Sequence, residues 1–259
     1  MTFHPFHMVE RSPWPLTSAM SSLFITSGII ALINKLSSFL LLIGIMTCLL
    51  SMYQWWRDIS RESTFQGYHT QIVVKGMKLG MILFIISEIL FFFSFFWTYF
   101  HAMLSPDIEI GQKWPPTGIS PFNPYHIPLL NTIILLSSGV TITWTHHALI
   151  NKNFNNMIFS ILITIILGMY FSILQLFEYM ESSFTMSDSI FGSIFFLSTG
   201  FHGIHVLIGT TFIFINFLRM MMNHYNNKHH FGFEASAWYW HFVDVVWLFL
   251  YTFVYWWIF

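Results

Sequence analysis

Seven stretches of the chain stay apolar long enough to cross a bilayer, and shorter stretches between them collect the charged, amide and proline residues. A span needs about 20 apolar residues, because a helix rises about 1.5 Å per residue and the hydrocarbon layer is about 30 Å thick. The pattern predicts helices over 16–34, 36–56, 79–100, 128–150, 157–180, 190–218 and 236–258. The first is richer in serine than packing alone accounts for. Alternating blocks of about ten residues, the mark of a membrane β-barrel, are absent. The fold class is therefore an all-α membrane protein with seven transmembrane helices.

The breaks between spans say which way the bundle faces. Pro115, Pro116, Pro121, Pro124 and Pro128 forbid a continuous helix and predict an ordered excursion across one membrane face. Lysine and arginine divide unevenly: Arg11, Arg57, Arg61, Lys75, Lys78, Lys152, Arg219 and Lys228 lie on one side, Lys35 and Lys113 on the other. Positive charge collects on the inner side, so the N-terminus is expected inside and the C-terminus outside. Only 8% of residues are charged, against about 25% in an ordinary soluble domain. No loop has room for a soluble domain, and no nucleic-acid partner is expected. The N-terminal "MTFHPFHMVERSPWP" reads as neither a signal nor a transit peptide, and the one cysteine, Cys48, excludes paired-thiol chemistry within the chain.

Thirteen histidines invite a test for haem or copper, which membrane helices hold between facing side chains. Only His202 and His205, in "HGIH", sit deep in a span, on one helical face beside Gly200, Gly203 and Gly209. That small-residue surface favours interhelical hydrogen bonding over metal ligation. Facing histidines for haem and a second thiolate for binuclear copper are missing, so no metal is expected in this chain. Three carboxylates fall within spans or at their ends. Asp244 follows His241 by three residues, so the two pair along one face, and Glu178 lies near a helix end. Glu88, in "SEILFFFSFFWTYFH", stands near mid-bilayer, where a charge costs at least about 2.5–3.5 kcal/mol. It is expected to be protonated, paired or turned toward protein, with a structural hydrogen bond and a proton-linked role both open.

Residues 53–71, "YQWWRDISRESTFQGYHTQ", put Trp55 and Trp56 at an interface and Arg57 and Arg61 one turn apart, a spacing that suits a phosphate. Glu62 and His69 add an acceptor and a donor for a lipid head group. A plain aromatic belt with solvated charges explains the stretch nearly as well.

In order along the whole chain, "HPFHMVERSPWPLT", "WWRDISREST", "FWTYFHAMLSP", "WPPTGI", "IPLLNT", "SGVTITWTHH", "FHGIHVLIG" and "HFGFEASAWYWHFVDVVWLFLYTFVYWW" resemble the mitochondrial cytochrome c oxidase subunit III family. The resemblance implies a multi-pass subunit of the mitochondrial inner membrane, N-terminus in the matrix and C-terminus in the intermembrane space. It implies two bundles, helices 1–2 in residues 1–70 and helices 3–7 in residues 71–259, separated by a lipid-filled V-shaped cleft. It further implies structural phospholipids as the chain's own ligands, with haem a and copper carried by partner subunits. Subunit I would be the main contact, with subunit II and other complex IV subunits beyond it. In that setting the chain supports stability, sustained turnover and proton uptake while subunits I and II pass electrons from cytochrome c to oxygen.

Residue by residue, Glu88 is similar to the family's buried, carbodiimide-reactive glutamate. Trp56, Glu62, His69 and Arg219 are similar to positions that hold phospholipid. Met222 stands where many relatives have lysine, which leaves His224 as the substitute contact. Two readings from other classes compete. A proton-conducting channel or transporter would use Glu88, His202 and His205 as a relay, and a membrane haem cytochrome would use the histidines as axial ligands.

Overall fold

The computed structural model describes residues 4–259. The seven stretches form α1 (Trp14–Ile33), α2 (Phe39–Thr64), α3 (Gln71–Leu104), α4 (Ile127–Ile150), α5 (Phe154–Met180), α6 (Ile190–Met221) and α7 (Phe231–Leu250). The last continues as a π-helical turn over Tyr251–Trp256. All seven are long and apolar enough to cross a membrane. The described residues contain no β-strand, only a single bridge between Asn226 and His229.

The helices overrun the apolar stretches at their polar ends. α2 runs to Thr64 rather than 56, α3 starts at Gln71 rather than 79, and α7 starts at Phe231 rather than 236. Hydropathy marks only the part of a helix that lies in lipid. The polar end of α2 stays helical because its charges satisfy one another: Asp58 takes Arg57 at 3.0 Å and Arg61, one turn on, at 3.9 Å.

Contacts divide the chain into two units, Met1–Met77 and Lys78–Phe259, with the division inside the first turns of α3. In the first unit α1 and α2 meet through four small residues, Ser21 and Gly28 on one helix and Gly44 and Ser51 on the other. Each pair is seven residues apart, two helical turns, so the small side chains form a continuous seam. A Cβ on Gly28 would fall 2.6 Å from the Leu41 Cα, and one on Gly44 would fall 2.7 Å from the Ile25 nitrogen. The backbones touch. The serines of α1 now have an account: Ser21 gives the seam its small size, and Ser18, Ser22 and Ser27 donate to carbonyls three or four residues back, leaving no hydroxyl bare in lipid.

The second unit has its core among α4 to α7, with Trp240, Trp247, Phe171 and the π-turn Tyr255 fully buried. Lipid is as apolar as this core, so packing and interhelical hydrogen bonds, averaging about 0.6 kcal/mol each, hold the bundle rather than hydrophobic burial. Trp240 Nε1 donates to Ser138 Oγ at 2.8 Å and Trp247 Nε1 to Thr132 Oγ1 at 3.0 Å. Thr141 meets Thr164 at 2.7 Å and Thr145 meets Ser160 at 2.8 Å, stitching α4 to α5. The proline excursion is ordered. Asp107 accepts from the Ile108 amide at 2.6 Å to start a short 3-10 turn, and Trp114 wedges edge-on between Tyr99 and Phe191.

Candidate functional site

Glu88 projects from α3 to place Oε2 3.0 Å from Nε2 of His205 on α6. The side chains are 23% and 11% exposed, flanked by Phe92 and Tyr239. His205 Nδ1 lies 2.6 Å from the Phe201 carbonyl, which accepts only, so that nitrogen carries a proton. Nε2 of a neutral ring is then a bare lone pair aimed at a carboxyl oxygen. Two acceptors would face each other unless a proton lies between them, so the pair holds one. It is either a carboxylic acid donating to imidazole or a carboxylate receiving from imidazolium, and in both forms it is neutral overall.

The other intramembrane polar residues are tied to protein. His202 is fully buried and donates through Nε2 to the Val243 carbonyl on α7 at 3.2 Å, its ring set between Phe171 and Trp247. His241 and Asp244 approach to 3.9 Å, a loose ionic contact rather than a hydrogen bond, and Asp244 Oδ2 lies over Gly139 of α4. Glu178 lies near the end of α5, as expected, yet it is enclosed by protein. It is 1% exposed, accepting from Tyr255 Oη at 2.6 Å and Gln175 Nε2 at 3.3 Å, with Asn131 Nδ2 donating to Gln175 Oε1 at 3.3 Å. Position along a helix measures depth in a bilayer but not the protein packed around it.

In the first unit the N-terminal segment folds over the polar end of α2. Thr70 Oγ1 donates to the Pro5 carbonyl at 2.5 Å, the His7 ring stacks on Tyr68, and His7 Nε2 lies 3.4 Å from Glu62 Oε2. These contacts help enclose a polar cavity of about 540 Å³ whose walls include Arg11, Trp14, Asp58, Arg61, Glu62 and His69. Of the residues chosen for lipid binding, Arg61, Glu62 and His69 line it. Trp56, 55% exposed, and Arg57 do not. Asp58 sits between the two arginines, 3.0 Å from Arg57 and in a looser 3.9 Å contact with Arg61. Trp14 Nε1 holds the second Asp58 oxygen at 2.7 Å. His7, Arg11, Trp14 and Asp58 were not among the sequence candidates. Asp58 had a visible signal, lying next to one arginine and three residues before the other.

Arg219, at the end of α6, lays its guanidinium 4.6 Å above the Tyr225 ring, whose hydroxyl donates to Asn216 Oδ1. Burial pushes the Tyr225 phenol up to about 12. Burial, and then the charge of Arg219, pushes the His224 imidazole below its ordinary value. A further group had no place among the sequence candidates. His146, near the end of α4, puts Nε2 3.2 Å from His230 Nε2, which lies 3.2 Å from Oε1 of Glu234 in the first turn of α7. Lys78 Nζ holds the other Glu234 oxygen at 2.5 Å.

Comparison with known proteins points to one family. The family described as Cytochrome c oxidase subunit III matches residues 4–259. Cytochrome c oxidase subunit 3 of Rhipicephalus sanguineus is 58% identical over 257 residues, covering 99% of this chain and 100% of that protein. Cytochrome c oxidase subunit 3 of Homo sapiens is 59% identical over 254 residues, with 98% of this chain and 97% of that protein covered, and the Rattus norvegicus protein gives the same figures.

Proposed function

The chain belongs to the cytochrome c oxidase subunit III family, and from that premise we propose that it serves the complex as a phospholipid-holding core subunit without a redox centre of its own. As a subunit of cytochrome c oxidase it is part of an oxidoreductase. The proposal assigns haem a and copper to subunits I and II, makes subunit I the main contact, and sets the chain in the mitochondrial inner membrane with the N-terminus in the matrix. The uneven split of lysine and arginine supports that orientation. The two deepest histidines are already engaged by protein groups, His202 by the Val243 carbonyl and His205 by Glu88 and the Phe201 carbonyl, which supports placing the redox centres elsewhere.

The observation that carries the lipid role is the polar cavity of the first unit. Arg11 and Arg61 supply positive charge for a phosphate, Glu62 an acceptor for an ammonium head group, and His69 a ring for a glycerol or phosphate oxygen. Arg219 joins the proposal as an interfacial cation at the end of α6. The one-proton pair of Glu88 and His205 supports a proton-linked part in turnover.

The test is purification of the complex through this chain in mild detergent, with partners identified and lipid phosphorus and optical spectrum recorded before and after the chain is stripped away. Haem a and copper should stay with the partners, while phospholipid leaves with the chain and the stripped core inactivates sooner during turnover. A chain that comes away alone, or that carries haem with it, overturns the proposal. Arg61→Gln should lower bound phospholipid without changing the spectrum.

A further inference from the structure

At one end of the second unit, helix termini bring together three metal-ligating groups that electron transfer, lipid holding and proton linkage leave unused. We propose that His146, His230 and Glu234 form a binding site for a divalent cation of the zinc type, with a fourth position open to water. The donor set is two imidazole nitrogens and one carboxylate oxygen, the borderline combination that selects zinc or cadmium over magnesium or calcium.

Geometry supports the assignment. Zinc bonds of about 2.0–2.1 Å in a tetrahedron set ligand atoms about 3.3 Å apart. Two of the three edges here are 3.2 Å, His146 Nε2 to His230 Nε2 and His230 Nε2 to Glu234 Oε1, and all three atoms lie within 4.8 Å of one another. The third edge, between His146 Nε2 and Glu234 Oε1, is within 4.8 Å, and a bound ion would draw it in.

The surroundings orient the donors. His230 Nδ1 lies 3.0 Å from the Asn226 carbonyl, so that nitrogen bears hydrogen and the Nε2 lone pair faces the centre of the group. This is the outer bond that fixes ring and tautomer in metal-binding histidines. Lys78 takes Oε2 of Glu234 and leaves Oε1 turned inward. The same ammonium repels an incoming dication, so the site is labile rather than permanently filled.

The test uses the whole oxidase complex, stripped by chelator and dialysed against graded Cd2+, with bound metal counted by mass spectrometry. The intact complex should take up one more Cd2+ than complexes carrying His146→Asn or Glu234→Gln, and Cd2+ should protect His146 and His230 from modification by diethyl pyrocarbonate. Equal uptake by the intact and His146→Asn complexes overturns the site. Protection is read on the unaltered complex, so it decides the matter if a variant fails to assemble: modification of both histidines at the same rate with and without Cd2+ also overturns it.

Discussion

Removing Glu88 and His205 singly and together measures how strongly α3 is tied to α6 inside the bilayer. The variants are Glu88→Ala, His205→Phe, which keeps the ring that packs against Phe92 and Tyr239, and the double change. Interhelical hydrogen bonds in membranes average about 0.6 kcal/mol and reach about 1.7 kcal/mol in double-mutant cycles. This one belongs near the top of that range, because its 3.0 Å length is good and His205 is already pinned by the Phe201 carbonyl, so little side-chain freedom is lost in forming it. A coupling of about 1–1.7 kcal/mol is expected, read from reversible detergent unfolding of the chain followed by tryptophan fluorescence. Glu88→Gln should keep assembly and initial electron transfer nearly intact, since an amide N–H donates to the bare Nε2 as a carboxylic acid does. An infrared carbonyl band of protonated carboxyl that disappears in Glu88→Gln would identify the acid form of the pair. A coupling no larger than about 0.5 kcal/mol, the scatter between independent sites, would refute the one-proton bond.

Three further outcomes follow from contacts at other points. Gly28→Ala puts a methyl 2.6 Å from the Leu41 backbone and should cost about 1–3 kcal/mol in unfolding of the first unit. Gly80→Ala, with nothing within 4 Å, should be neutral or stabilising by up to about 1 kcal/mol, and equal effects of the two would sink the seam argument. Tyr255→Phe strips Glu178 of its 2.6 Å donor in a buried site and should lower thermal stability by about 1–3 kcal/mol, whereas a value near zero would mean that the hydroxyl is replaceable. Tyr225 has an ordinary value of 10.0 that rises to about 12 in the folded chain, which therefore keeps a proton that the unfolded chain releases. Stability should fall as pH rises from 10.0 toward about 12, and Tyr225→Phe should flatten that slope.

The helices were readable because lipid leaves no alternative: an apolar run of spanning length must satisfy its own backbone, so seven runs gave seven helices. Their ends were not readable in the same way, because partners decide them. Asp58 keeps the polar end of α2 helical between two arginines, and α7 begins where Glu234 and His230 meet His146 and Lys78 from other helices. The α1 seam was partly in view, since Ser21 and Gly28, like Gly44 and Ser51, repeat at seven, but which face met which required the register of two helices. Trp14 and Asp58 are separated by 44 positions, and no local pattern joins them. The burial of Glu178 was not legible, because position along a helix says nothing of the protein around it, and its partner Tyr255 is 77 positions away.

The Glu88 and His230 groups use one device at two depths. In each, a carbonyl holds the Nδ1 hydrogen of a histidine and leaves the Nε2 lone pair facing a carboxylate oxygen, His205 toward Glu88 and His230 toward Glu234. Such a pair has room for one positive species between nitrogen and oxygen. Deep in α3 that species has to be a proton, because a net charge at mid-bilayer costs at least about 2.5–3.5 kcal/mol and only a proton leaves the pair neutral without a hydration shell. At the start of α7 a second imidazole and the Lys78 ammonium on the far carboxylate oxygen change the balance. A dication there would keep part of its hydration and gain a third protein ligand, so the arrangement that calls for a proton between Glu88 and His205 is the one we propose to hold a metal at the start of α7.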